Sequence, residues 1–398
     1  MSILFSYTEV TMSLKAFYNF DGVPAGVQGT AGDALLAPAN GMGLDGTRNA
    51  ALTVNLYAPK SFNINAVGVS GLDAHKVGAG AERRNALVIY RSPGHPSISA
   101  GARVMLLQNF DARTSRSWRS VTGFNWIDFT DREPALGYGL VFAWRNNSRT
   151  ALITRRNDGQ LLVGTTLYPI ERGVEYYIEV ELFYDAPETP VASNPISGRV
   201  MINKEVIYTW DKALGSLAAA IATVGVEVGY ADHASNSFPM WMGLSDIYNV
   251  DHEGDAPYNL PLGPQKALLK KPVLVEAPDW TAVGGSDPTE ILTDGKDDTY
   301  LHSPLSKVSA ELMFDLNLNQ GSIVNGIQVL GRGSRDMGAR RRMDGTIQAG
   351  SSDVQTLSDS FSDRTAEKVL VQYMPNATAD MAVLNGRALD NMIVRLDT

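Results

Sequence analysis

Trp-Met-Gly-Leu-Ser-Asp-Ile-Tyr-Asn-Val-Asp at 241–251, a Pro- and Gly-spaced stretch after it, and Asp-Gly-Lys-Asp-Asp-Thr-Tyr at 294–300 decide how this chain is read. The first run reads as the last strand of one β-domain, the second as a link, and the third as the entry to another domain. The residues before Trp241 read as strands that pack onto that closing strand. Those after Tyr300 read as a smaller β-unit.

Working back from Trp241, short strands recur with turn residues between them. Tyr138–Trp144, Thr150–Arg155 and Leu161–Val163 are three such runs, and Asn157-Asp158-Gly159 is a hairpin turn between the last two. Tyr176–Phe183 alternates with period two. Tyr176, Ile178, Val180 and Leu182 fall on one face, and Glu179 and Glu181 on the other. Gly198–Ile202 and Glu205–Trp210 form a hairpin around Asn203-Lys204, and Val224–Tyr230 is a further strand. Phe17–Gly22, Ala51–Tyr57, Asn85–Tyr90 and Ala102–Leu107 carry the same signal nearer the start, whereas 111–136 is mixed and polar. Short strands with turn signals at this spacing predict a β-sandwich or barrel.

Working forward, 254–275 is rich in Pro and predicts an extended link laid on a surface, because Pro cannot donate to a sheet ladder. Beyond it, Ala310–Leu316, Ile323–Leu330, Arg341–Ala349, Val369–Tyr373 and Met392–Leu396 predict strands, and 377–390 a short helix. The expected division is 1–253, 254–275 and 276–398.

Composition agrees with many strands and tight turns. Of 398 residues, 44% are hydrophobic and 19% charged, with 37 Gly and 19 Pro. The formal net charge of −9 argues against a nucleic-acid partner, since phosphate binding needs a basic face. The absence of Cys excludes disulfides and thiolate metal sites, and fits folding in a cytosol. No signal peptide is read at the start, and no stretch is long and apolar enough to predict a membrane span.

Candidate chemistry is sparse. Glu179 and Glu181, about 7 Å apart by strand rise, are the residue type for glycoside hydrolysis. The Glu-x-Asp-x-x-Glu run of bent-sandwich glycosidases is not matched, and a solvated strand face is expected instead. His75, His95, His233, His252 and His302 lack zinc spacing, and Asp232-His233 reads as loop. Asp294, Asp297 and Asp298 make an oxygen-rich turn that is a candidate calcium site, set against plain turn formation. Arg340, Arg341 and Arg342 are candidates for an interface with an acidic partner, or for charges guarding an edge strand. Trp118 and Trp126, with Trp144 and Tyr138, are candidates for a sugar-stacking rim, set against a core role. No cofactor motif, nucleophile elbow or Ser/His/Asp set is present, and the chain is expected to be no enzyme.

Residues 137–300 resemble a group of tailed-bacteriophage virion proteins. The resemblance rests on motifs in order: Asn157-Asp158-Gly159-Gln160-Leu161, Glu175-Tyr-Tyr-Ile-Glu179-Val-Glu181 and Gly198-Arg-Val-Met-Ile-Asn203. Ser245-Asp-Ile-Tyr248-Asn-Val-Asp251, Leu262-Gly263, Pro278, Trp280 and Asp297-Asp-Thr-Tyr300 complete it. The longer Pro-rich loop at 186–195 departs from that pattern. The resemblance implies an all-β chain: a concanavalin A-like (laminin-G-like) sandwich followed by a second, smaller β-domain. The turn Asp294-Gly295…Asp298-Thr299 resembles the opening of discoidin-type jelly rolls, which implies a jelly-roll-like fold for that domain. It implies a structural component of the virion on the tail, baseplate or fibre attachment, assembled in the host cytoplasm and oligomeric in the particle. Its partners would be other virion proteins. A host-surface glycan is the alternative partner. Neither nucleic acid nor membrane is expected.

Overall fold

The structure is a computed structural model of the chain. It describes twenty-seven strands, one helix and the connecting residues 156, 159, 164, 165, 170–174, 203, 204, 211, 260–266, 270–273, 277–280, 284–287, 298, 299, 303, 308, 315 and 325.

The first compact unit, Ser13–Leu268, holds eighteen strands. They are β1 (Leu14–Tyr18), β2 (Gln28–Gly29), β3 (Leu52–Ala58), β4 (Ser61–Phe62), β5 (Arg84–Arg91), β6 (Arg103–Gln108), β7 (Trp118–Asp128), β8 (Tyr138–Trp144) and β9 (Arg149–Arg155). Next come β10 (Gln160–Val163), β11 (Thr166–Pro169), β12 (Glu175–Tyr184), β13 (Ser193–Pro195), β14 (Ser197–Ile202), β15 (Glu205–Trp210), β16 (Ser216–Ala218), β17 (Val224–Tyr230) and β18 (Met240–Asp251).

A ten-stranded sheet runs β15-β14-β12-β7-β18-β5-β3-β2, with β1 added on β18 and β4 on β3. A six-stranded sheet, β11-β10-β9-β8-β17-β6, lies against it. Side-chain contacts join the sheets. The ring of Tyr168 (β11) meets that of Tyr176 (β12) edge-on at 6.1 Å, and Arg155 (β9) donates from Nε to the Asp128 carboxylate (β7) at 3.1 Å. The described pairs are antiparallel, and alternate side chains along a strand point to opposite faces of its sheet.

The strand that closes the first domain, β18, is the pivot of the large sheet. It pairs with β7 along one side over Met242–Asp251. Along its other side it pairs first with β5 and then with β1. The core between the sheets takes Phe124 and Trp126 from β7, Ile178, Val180 and Leu182 from β12, and Val200 and Ile202 from β14. Leu244 and Ile247 of β18 join them, and Ile153, Leu161 and Val163 come from the facing sheet. Each such side chain contributes about 1.5–3 kcal/mol by leaving water.

β7 was not legible in the sequence. Trp-Arg-Ser-Val-Thr-Gly-Phe-Asn-Trp-Ile-Asp lacks an apolar/polar alternation because both of its faces are covered. Ser120, Thr122, Asn125 and Asp128 are all buried there. A strand enclosed on two sides has no wet face to mark its period.

The second unit, built on Leu269–Thr398, is described by itself. It holds β19 (Leu274–Glu276), β20 (Thr281–Val283), α1 (Pro288–Thr293), β21 (Tyr300–His302), β22 (Ser309–Phe314), β23 (Ile327–Gly333), β24 (Arg341–Ala349), β25 (Ser352–Phe361), β26 (Glu367–Tyr373) and β27 (Met392–Asp397). Five strands form the sheet β19-β22-β27-β24-β25, and β20-β21 and β23-β26 form two pairs. Val275, Ala277 and Ala310 make a small core against which Trp280, Leu301 and Leu312 pack. The short helix starts at Asp287, whose carboxylate accepts from the Thr289 N–H at 2.7 Å as an N-cap.

The all-β class is what the structure shows: a β-sandwich, then a smaller β-unit. The chain divides within the expected link, at Leu268/Leu269, and residues 260–266 of that link belong to the sandwich. The helix expected over 377–390 lies outside the described residues.

Candidate functional site

The two acids of β12 are not on a wet face. Glu179 is 1% exposed and Glu181 0%, which corrects the solvated face expected from the alternation. They lie on the outer side of the large sheet, away from the core, yet that side is covered.

Glu179 is covered by backbone and a phenol. Tyr248 of β18 donates its hydroxyl to Glu179 Oε1, and the Gly263 N–H donates to the same oxygen at 2.8 Å. The Leu262 N–H in turn donates to the Tyr248 hydroxyl at 3.0 Å. Residues 260–266 therefore cross the outer face as a strap fastened by two consecutive amides. Burial pushes the Glu179 carboxyl up from its ordinary 4.5. The two hydrogen bonds and the nearby Lys204 pull it back, and Glu181 adds to the rise. Burial, and then the charge of Glu179, push the Tyr248 phenol well above 10, so it keeps the proton that it donates.

A bulge in β18 makes this meeting geometrically available. The register with β7 shifts between Ser245 and Tyr248, where Asp246 is the extra residue at φ 47°. The extra residue turns Ile247 into the core and Tyr248 onto the outer face, over Gly123. A methyl on Gly123 would collide with the Tyr248 ring. The left-handed conformation of Asp246 is held by three bonds. Its carboxylate accepts from Asn125 Nδ2 at 2.6 Å and from the Ser245 hydroxyl at 3.1 Å, and its carbonyl accepts from the Tyr177 hydroxyl at 3.1 Å. Tyr177 and Tyr248 stack at 6.3 Å with planes 13° apart. The turn at Asn203 (φ 51°) and Lys204 (φ 75°) closes the same end, with Asn203 Oδ1 accepting from the Tyr177 N–H at 2.9 Å.

Glu181 is covered differently. Arg119 of β7 and Arg199 of β14 each donate Nε to it, one to each carboxylate oxygen. The two arginines reach it from the strands on either side of β12.

The residues singled out from sequence do not form one site. Trp126 is 3% exposed and packs on Tyr176 with ring centroids 6.3 Å apart, so it is a core residue, and the stacking rim is corrected. Trp118 and Trp126 are eight residues apart on β7, about 26 Å by strand rise, and Tyr138 begins a strand of the other sheet. Of the calcium candidates, Asp298 is exposed, and Asp294 and Asp297 lie outside the described residues. Among the described residues no group of three metal-ligating side chains occurs. Arg341 and Arg342 open β24, which is interior to its sheet, although β27 pairs only from Asp344 onward. Arg340 lies outside the described residues. Sequence reasoning missed the parts that do converge: Tyr248, Gly263, Arg119 and Arg199.

No protein-family model and no curated protein sequence matches this chain. Solved structures do. The alginate lyase Aly36B matches at 7% identity and TM-score 0.33, over 60% of this chain and 96% of its own. The endo-β-1,4-glucuronan lyase of the fungus Trichoderma reesei matches at 9% identity and TM-score 0.32, over 60% and 95%. The CBM22 tandem of Paenibacillus barcinonensis Xyn10C matches at 8% identity and TM-score 0.26, over 99% and 92%. At these scores the likeness carries no substrate or activity to this chain. It does correct one expectation. Lyases stand among the matches, so the exclusion of an enzymatic activity drawn from the sequence is withdrawn.

Proposed function

We propose that this chain is a structural component of a tailed-phage virion, at the tail, baseplate or fibre attachment, binding other virion proteins through its β-sandwich. One observation carries the reading. Three motifs of the resemblance, Glu175–Glu181, Ser245–Asp251 and Leu262-Gly263, meet at one carboxylate, where Tyr248 and Gly263 both bond Glu179. Motifs that hold one another in place are part of the framework of this sandwich, and that supports reading their order along the chain as a likeness of framework.

The test is mass spectrometry of gradient-purified phage particles made from a genome that encodes this chain. The chain is expected among the virion proteins at a copy number comparable with theirs. Its absence from intact particles would overturn the reading. Absence combined with hits on a glycan array would replace it with carbohydrate binding.

A further inference from the structure

Glu179 is sealed by a stretch of chain that is not itself a strand. Of Pro261-Leu262-Gly263-Pro264 in the strap, only Leu262 and Gly263 carry an N–H. Both are spent on side chains of the large sheet, Leu262 on the Tyr248 hydroxyl and Gly263 on Glu179. At φ 75° Gly263 lies against the stem of Lys204, where a methyl would collide. Gln265 ties the strap to itself, its Nε2 donating to the carbonyls of Leu262 and Gly263 at 3.1 and 3.2 Å. The strap is therefore a turn with a shape of its own, able to lift as a piece.

The carboxylate beneath it is bonded unevenly. The Tyr248 hydroxyl and the Gly263 amide both converge on Oε1. A proton on Oε2 disturbs neither bond, so the strap keeps its anchor when Glu179 is neutral. The ionised form is less well served. Among the described residues no cation bonds Glu179, whereas Glu181 has two arginines. The charged and titratable groups that face Glu179 are Glu181 on its own strand, Tyr248 of β18 and Lys204 in the turn after β14. β7 and β14 place only Gly123 and Met201 opposite it, and the strap brings the Gly263 amide. Glu181 opposes a second negative charge, Tyr248 keeps its proton, and the exposed Lys204 offsets part of the charge.

Closing the strap takes this carboxylate out of water, which costs little when it is neutral and much when it is charged. Lifting the strap rewets it without parting the sheets. We propose that residues 260–266 are a proton-held clasp, closed on the sheet while Glu179 is protonated and loosened as Glu179 ionises. The upward push of burial on the Glu179 carboxyl has the matching sign. The closed form holds the proton more tightly than the open one, so the clasp's stability is fully present below 4.5 and falls as pH rises through the closed-state value. The strap shortly precedes the division of the chain at Leu268/Leu269, so lifting it adds length to the link that leaves the sandwich. The clasp does not rest on the proposed virion role.

The experiment is hydrogen exchange, resolved to single amides, on the purified full chain between pH 4.5 and 8, with each rate divided by that of the same amide in an unstructured peptide. At pH 4.5 the Gly263 amide is expected to be protected like that of Val180 in β12. By pH 8 its protection is expected to fall several-fold more than that of Val180. Glu179→Gln keeps the acceptor and removes the charge, and its profile should be flat. Lys204→Gln removes the cation that favours ionisation, and should displace the fall to higher pH. Should Glu179→Gln fail to fold, that displacement decides. A flat native profile, a fall that persists in Glu179→Gln, a fall shared equally by Val180, or no displacement in Lys204→Gln would each overturn the proposal.

Discussion

Glu179 and Glu181 stand two residues apart on one face of β12, and they are kept from water by opposite means. Glu179 is covered by neutral donors, a phenol and a backbone amide, and its carboxyl is pushed up by burial. Glu181 is covered by two cations that remain a third exposed. The difference separates two uses of a buried acid. One fastens a strap of the chain to the sheet. The other ties β7 and β14 to β12, which lies between them, through two arginines.

Removing the cations should have the largest effect. Arg119→Gln with Arg199→Gln leaves Glu181 buried and unpaired. A fully buried orphan charge would cost about 3–5 kcal/mol; partial exposure of the pairs lowers the expected loss to about 2–3 kcal/mol. Urea denaturation reads it. A loss no greater than that of an ordinary surface pair would erase the contrast between the two acids.

Next comes Gly123→Ala, which drives a methyl into the Tyr248 ring and loosens the phenol from Glu179. About 2 kcal/mol of stability should go, as in other overpacked sites. Tyr248→Phe removes the hydroxyl alone and should cost about 1.5 kcal/mol at neutral pH, since Glu179 loses a donor while staying buried. A neutral result for Tyr248→Phe would mean that the Gly263 amide alone suffices.

The smallest effect is the one that sharpens the comparison most. With its folded pKa raised above 4.5, Glu179 contributes stability that is fully present below 4.5 and is lost as pH rises through the folded value. Glu179→Gln keeps an acceptor for both donors and removes that titration. Its stability should fall less than that of the native chain as pH rises from about 4.5, and it should match or slightly exceed the native chain at neutral pH. An unchanged pH profile would show that burial of Glu179 carries no electrostatic cost.

Much of the sandwich was legible. Tyr138–Trp144, Glu205–Trp210 and Val224–Tyr230 have the bounds that the residues suggest, because their turns and apolar spacing are local signals. β7 was hidden because both its faces are covered. The two glutamates misled for a related reason: alternation announces that a face differs from the core, and says nothing of what else comes to lie on it. Nothing near Glu179 in sequence names Gly263, 84 residues away, as the donor that covers it. The bulge at Asp246 was equally silent, since a one-residue shift leaves no mark on composition, yet it decides which way Tyr248 faces.

Hydrogen exchange at the Gly263 amide tests the central claim most directly. If the strap is fastened to the sheet through Glu179, this amide should be protected like the strands of the core in the native chain, and should exchange markedly faster in Tyr248→Phe. Exchange in the native chain as fast as that of an exposed loop amide would contradict the account.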